Sequence, residues 1–523
     1  MKSRAWLREW APAGLPAAAA AVFSTITYFF PGVHASYGMQ AGLAAGIGWR
    51  ITAGDTLYTE IWENKGPLYY LINALGVSIN YWHGIWVLEF AALVGSALVM
   101  YRLARMALTP WLAGVAATAA LASLAGTLMV GNLVEEWAMP FLAVSVWATF
   151  KTTLDQGGHP VRRGVALGLA IGALLAMRPN LAAFACVAAL GVAWYLVKRG
   201  TWRPLWLLSG SAIVSCCALL GALAIWLASQ GALAACLESA YFDVVHWDYS
   251  LAERLANAGV MLSGLRPGGG LVILALFLAG AAALVIRRVN YAWAGRDPRP
   301  VRLMAPQRYL VMVTAVGLVA NLAANLISGN PDPNYMMTFV PLLAWPAAWL
   351  MTKCIRALEA RLKPRPVAAR LVTAAMAVVL AATAATPALG KGSPSLWGAT
   401  DHNSRVRDLA AFMRRETSPE ARVALVELPE TAHYVAQRRP ATVRFYRPMP
   451  PFEESFKREW NDGIAQDLLD GGATLIIFDS PDLAESWLDN AISPEIGERL
   501  RAMLAGDYFL VPNERGWAAY KRR

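Results

Sequence analysis

The chain has 523 residues, of which 57% are hydrophobic and 15% charged, against about 25% charged in an ordinary globular protein. With a mean hydropathy of +0.41, this excludes a soluble enzyme, a disordered tail and a fibrous protein. A formal charge of +11 would by itself suggest nucleic acid, but the basic residues stand at the ends of apolar runs, so no nucleic-acid partner is expected.

A bilayer core about 30 Å thick takes roughly 20 apolar residues per helix. Eleven runs fit that pattern: 14–32, 84–103, 111–130, 137–153, 164–177, 180–197, 205–229, 269–287, 309–327, 336–352 and 371–388. Cytoplasmic loops retain Lys and Arg. One set of loops carries 23 of them, from Lys2 to Arg370, and the opposite set five: Arg50, Lys65, Arg178, Arg254 and Arg266. The N-terminus is therefore expected in the cytoplasm, and an odd number of crossings puts residues 390–523 outside. Val33-His34-Ala35 loosely suits a signal peptidase, but a run as long as the first reads as a retained anchor.

The residues beyond 390 change in character. Gly390 to Ser395 reads as a linker. Val423–Val426, Leu475–Phe478 and Trp517–Tyr520 read as short strands, and Val406–Arg415 and Ile464–Leu469 as helices, so a small α/β domain is expected. The fold class is an α-helical polytopic membrane protein with a C-terminal α/β domain. Its domains are residues 1–390, with a large first outer loop at 33–83, and residues 391–523. The five cysteines lie in or beside apolar segments at no metal-ligand spacing, so neither a disulfide framework nor a zinc site is implied.

Polar residues beside the spans are the candidates for chemistry. The first outer loop is too polar to cross, yet it carries Trp49, Tyr58, Trp62, Tyr69, Tyr70, Tyr81 and Trp82, aromatics of the kind that settle at a membrane surface. Within it, Gly54-Asp55-Thr56-Leu57-Tyr58-Thr59-Glu60-Ile61-Trp62-Glu63-Asn64-Lys65-Gly66-Pro67 gathers three carboxylates and one lysine that could meet a charged headgroup or simply face water. Glu135 and Glu136 follow Gly131-Asn132 at the start of a span, where a charge is costly unless it faces water or a partner. Arg178, before Pro179 and Asn180, is a permanent cation between two apolar runs and would seek a phosphate or a carboxylate. Asn330-Pro-Asp332-Pro-Asn334-Tyr335-Met-Met337 reads as a tight turn before a span.

Taken in order, these segments resemble one family. Gly54 to Gly76, with its acids before Lys65-Gly-Pro-Leu68, resembles the first outer loop of GT-C superfamily glycosyltransferases, polytopic bacterial proteins similar to protein O-mannosyltransferases and the lipid A aminoarabinose transferase. Gly131 to Phe141, Met177-Arg-Pro-Asn180 and Asn334-Tyr-Met-Met337 resemble later junctions of the same proteins. The resemblance implies transfer of one sugar from a polyprenyl-phosphate donor to a cell-envelope glycan, lipid or protein outside the bacterial cytoplasmic membrane. It implies catalytic residues among Asp55, Glu60, Glu63, Glu135, Glu136 and His34. Lys65 and Arg178 would bind the phosphate, with Tyr58, Gln40, Asn334 and Tyr335 lining the substrate site.

In one respect the chain departs from the family. Members carry an aspartate shortly after the first span as the favoured base, whereas residues 33–53 contain no carboxylate and Gln40 stands near the expected position. Glu60, Asp55 or His34 would then be the base, or the protein would bind a lipid-linked sugar without turning it over. A divalent metal, used by some relatives, is not favoured without that acid. The alternatives are a non-catalytic binding or assembly protein and a transporter. A transporter would want ionisable groups at mid-membrane depth, whereas here they cluster at span ends.

Overall fold

In the computed structural model, residues 10–25, 27, 39–128, 131–242, 250–293, 305–327, 332–361, 400–443 and 454–523 are described. The expected span at 371–388, the linker at 390–395 and His34 lie outside the described residues. Among those described, seven helices are long and apolar enough to cross a membrane: Gly84–Ala104, Pro110–Thr127, Pro160–Met177, Pro179–Lys198, Trp202–Ser229, Pro267–Ile286 and Pro306–Ile327. A bent pair, Pro333–Leu342 and Ala344–Ala357, makes an eighth if its 57° break lies within one span. Val134–Leu154 is a helix where a span is expected at 137–153, and the first expected span is helical from Gly14 to Ser24. The runs flanking Arg178 are longer than their apolar cores suggest, because Pro160 and Pro179 each open a helical segment, the first-turn position where proline's missing N–H costs nothing.

The chain divides into two compact units. One comprises Met1–Thr27, Val87–Leu223 and Ala252–Ser393; the other comprises Tyr28–Trp86, Ala224–Leu251 and Pro394–Arg523. The first is helical. Two of its helices meet through small residues: a Cβ on Gly164 would lie 2.4 Å from the Leu208 carbonyl oxygen, and one on Gly168 would lie 2.0 Å from that of Ala212. Such close backbone approach replaces the hydrophobic driving force that lipid does not supply.

The second unit contains a five-stranded mixed sheet. Its strands are β1 (Arg422–Val426), β2 (Arg439–Pro440), β3 (Leu475–Phe478), β4 (Tyr508–Leu510) and β5 (Ala518–Arg522). Their order is β2-β1-β3-β5-β4, with β1 parallel to β2 and β3, and β5 antiparallel to β3 and β4. Side chains alternate across a strand. Thus Ala424, Val426, Ile476 and Phe478 enter one core with Trp460 and Trp487. Val423, Leu425, Leu475 and Ile477 enter the other with Leu409 and Trp517. Burial on both faces explains why β1 and β3 read as continuous apolar runs.

Two further helices of this unit, Met39–Thr52 and Pro67–Ile79, come from the segment 33–83. They cross closely, since a Cβ on Gly48 would stand 2.6 Å from the Asn73 carbonyl carbon. Several loop aromatics pack within the unit. Trp62 meets Trp460 edge-on at 4.1 Å, and Tyr81 stacks on Tyr434 at 4.7 Å while donating from its hydroxyl to the Tyr434 carbonyl.

Candidate functional site

Three breaks in the helical unit bring polar side chains together. The first leads into the Val134–Leu154 helix through Gly131 and Asn132, both left-handed, at φ 77° and 51°. Glycine is required at 131 on two counts, since a Cβ there would also lie 2.6 Å from the Thr27 Cβ and 2.8 Å from Glu89 Oε1. The Asn132 amide donates to Glu89, and Trp137 Nε1 donates to Asn132 Oδ1 at 2.9 Å. Glu135 and Glu136 then occupy the first helical turn, where the positive end of the helix dipole favours carboxylates.

The second break is at Arg178. Its extended backbone, with φ −170°, ends the Pro160–Met177 helix before Pro179 starts the next turn. The third is the tight helical turn Pro333–Thr338, which buries Asn334 and Tyr335. Amide side chains hold this turn in place: Asn321 Nδ2 donates to Thr338 Oγ1 at 2.9 Å and Asn325 Nδ2 to the Tyr335 carbonyl at 3.4 Å, while Asn180 Nδ2 donates to Asn325 Oδ1 at 3.1 Å.

The three breaks converge on Glu135. Arg178 Nη1 donates to Glu135 Oε1 at 3.2 Å, Arg178 Nη2 donates to the Tyr335 hydroxyl at 2.8 Å, and Asn334 Nδ2 donates to Glu135 Oε2 at 3.2 Å. The guanidinium also lies 4.8 Å from the centre of the Tyr335 ring, a cation–π distance. Glu135, Arg178, Asn334 and Tyr335, drawn from three separate sequence motifs, thus form one network. Glu136 turns away from it and lies beside Glu89, both fully buried. Sequence reasoning passed over Glu89; its signal was a lone carboxylate inside the apolar run 84–103.

The candidates in the second unit are arranged differently. Asp55 is divided between two arginines: Arg50 Nε donates to Oδ2 at 2.7 Å and Arg439 Nη1 to Oδ1 at 3.1 Å. Arg50 and Arg439 were not anticipated as its partners, and nothing local to Asp55 marks Arg439. Glu60 is exposed and accepts the Thr56 amide at 2.6 Å. Glu63 is buried and accepts from its neighbour's amide at 2.8 Å and from Lys65 Nζ at 3.3 Å. Tyr58 has a left-handed backbone and donates from its hydroxyl to the Lys65 carbonyl at 2.6 Å; burial pushes this phenol well above its ordinary pKa. Gln40 lies in the first turn of the Met39–Thr52 helix.

Leu43, Gly46, Trp49, Arg50, Glu430, His433 and Pro440 line a cavity in this unit. Burial pushes the His433 imidazole down to about 3, helped by Arg50 and opposed by the Arg438 carbonyl. Glu430 Oε2, 3.4 Å from Nε2, would favour a charged ring, but at 4% exposure desolvation outweighs that attraction. Among the described residues no three His, Cys, Asp or Glu side chains gather to hold a metal ion.

Residues 20–207 match the family model described as "Putative competence-induced protein Ccs4 N-terminal domain". No curated protein matches the sequence. Among solved structures, the chain is similar to ArnT from Cupriavidus metallidurans in the apo state, at 16% identity and a TM-score of 0.57 over 99% of this chain and 98% of that one. It is similar to the same protein bound to undecaprenyl phosphate, at 16% identity and a TM-score of 0.56 over 97% of each chain. It also resembles the apo form of the Archaeoglobus fulgidus oligosaccharyltransferase, at 14% identity and a TM-score of 0.50 over 99% of this chain and 75% of that one. The chain has the fold of the GT-C membrane glycosyltransferases.

Proposed function

We propose that this protein is a glycosyltransferase of the bacterial cytoplasmic membrane, moving a single sugar from a polyprenyl-phosphate donor to an extracytoplasmic glycan, lipid or protein acceptor. Residues 1–390 would form the membrane portion, with the N-terminus in the cytoplasm, and residues 391–523 the exterior domain. A donor with an isoprenoid tail and a charged head belongs at a membrane surface. The observation that carries the reading is the network of buried Glu135, Asn334 and Tyr335 with half-buried Arg178 in a fold shared with a protein solved with undecaprenyl phosphate.

In this reading the acceptor oxygen bonds to the sugar's C1 as the bond from C1 to the phosphate oxygen breaks. The acceptor's proton passes to Glu135, general-base help typically worth about 10²- to 10⁴-fold. The bonding electrons pass to the leaving phosphate, whose charge Arg178 stabilises. Lys65, in the other unit, is paired with Glu63 at 3.3 Å. Asp55, held by two arginines, organises its loop.

Supplied with polyprenyl-linked sugars, membranes containing the protein should label an acceptor. Glu135→Gln should cut the rate by about 10²-fold or more, and Arg178→Ala should weaken use of the donor. Absence of transfer, together with an unchanged cellular glycan in both variants, would refute the reading. A second reading, binding without turnover, draws support from the absence of a carboxylate in residues 33–53 and from the engagement of Asp55 by Arg50 and Arg439. Donor binding unaccompanied by either transfer or hydrolysis would favour it.

A further inference from the structure

We propose that the Arg178–Glu135 ion pair is a catch on the proposed base, which the donor's phosphate opens by taking Arg178 for itself. The inference rests on the glycosyltransferase reading and adds an order of events to it. As it stands in the structure, Glu135 Oε1 is occupied by Arg178 Nη1.

Three features of the pair point to exchange. Its contact is single and long, 3.2 Å through one guanidinium nitrogen, where charge-assisted bonds run about 2.7–2.9 Å; the Arg50–Asp55 pair of the same protein is at 2.7 Å. The two partners are also unequally accessible. The Arg178 side chain is 15% exposed and that of Glu135 only 2%, so an incoming anion reaches the cation first. Finally, each partner has a second anchor. Arg178 keeps the Tyr335 hydroxyl and ring face, and Glu135 keeps Asn334 on its other oxygen. When the two separate, neither is left adrift.

The exchange involves no covalent change. Phosphate oxygens replace Glu135 Oε1 on Arg178, and Glu135 stays on Asn334 with a free oxygen. Transfer then proceeds as above: the acceptor proton goes to that oxygen, the acceptor–C1 bond forms, and the C1–phosphate bond breaks with its electrons on the phosphate held by Arg178. The base is thus exposed only when donor is present. Because Glu135 and phosphate compete for one cation, coupling between them is reciprocal, and removing the carboxylate charge must strengthen phosphate binding.

The test is binding of undecaprenyl phosphate to the full-length protein in detergent, beside transfer kinetics. Glu135→Gln should bind it about tenfold more tightly while losing turnover. Wild-type binding with equal or weaker binding by Glu135→Gln overturns the catch and leaves the glycosyltransferase reading standing. No binding by the wild type overturns both. Should Glu135→Gln fail to fold, Asn334→Ala serves: loss of the second anchor should lower kcat with little change in the donor KM, and an unchanged kcat overturns the catch.

Discussion

Asp55 and Glu135 show how partners decide what a carboxylate can do. Asp55 has a different arginine on each oxygen and stays where it is put. Glu135 has one long ionic contact and one amide, an arrangement that a competing anion can rearrange. His433 illustrates the same dependence in its titration. With its imidazole held down at about 3 against an ordinary 6.5, the ring is neutral in the folded state, while the unfolded chain takes up a proton below about pH 6.5. Its contribution to stability is therefore complete above about pH 6.5 and is lost as the pH falls toward about 3. The loss at pH 5 amounts to about 2 kcal/mol. Thermal melts of the purified protein between pH 7.5 and 5 should show the midpoint falling with acid, and His433→Gln should flatten that slope. A slope equally steep in the variant would show that another group is responsible.

Elements followed the sequence wherever their cause was local. A helix that crosses lipid must satisfy its own backbone and present apolar side chains throughout, so the runs at 84–103, 205–229 and 309–327 coincide with helices Gly84–Ala104, Trp202–Ser229 and Pro306–Ile327. The strands β1 and β3, buried on both faces, were equally legible. β2 and β4 were not, because Arg439–Pro440 and Tyr508–Leu510 are short and owe their pairing to neighbours distant in sequence. Close packing of helices has its own test at Gly168. A leucine there must displace the Ala212 carbonyl and Ser215 Oγ, which a Cβ would approach to 2.0 and 2.2 Å. Overpacking of this kind costs about 1–3 kcal/mol or more. Gly168→Leu should lower the melting temperature in detergent by several degrees, with Gly210→Leu, where a Cβ meets nothing within 4 Å, as the benign control.

For the molecule as a whole, the distribution of Lys and Arg sets the proposed orientation. Alkaline phosphatase, active only outside the cytoplasm, should be active when fused after Arg523, and a fluorescent reporter that folds only in the cytoplasm should be bright when fused before Met1. The opposite pattern would reverse the orientation and move the proposed chemistry to the inner face. By itself the sequence determined the membrane class, the course of most helices, the α/β character of the C-terminal region and the four motifs that resemble GT-C enzymes. Each of these arises from residues close together in the chain, as hydropathy over about 20 positions, as short continuous apolar runs of strand length, or as local motifs. Which carboxylate meets which cation was decided only in three dimensions. Glu135 finds Arg178 at a separation of 43 residues and Asn334 at 199, while Asp55 finds Arg439 at 384. Ion pairs and hydrogen bonds depend on distances of a few ångströms, and proximity of that kind comes from how the helices and strands pack.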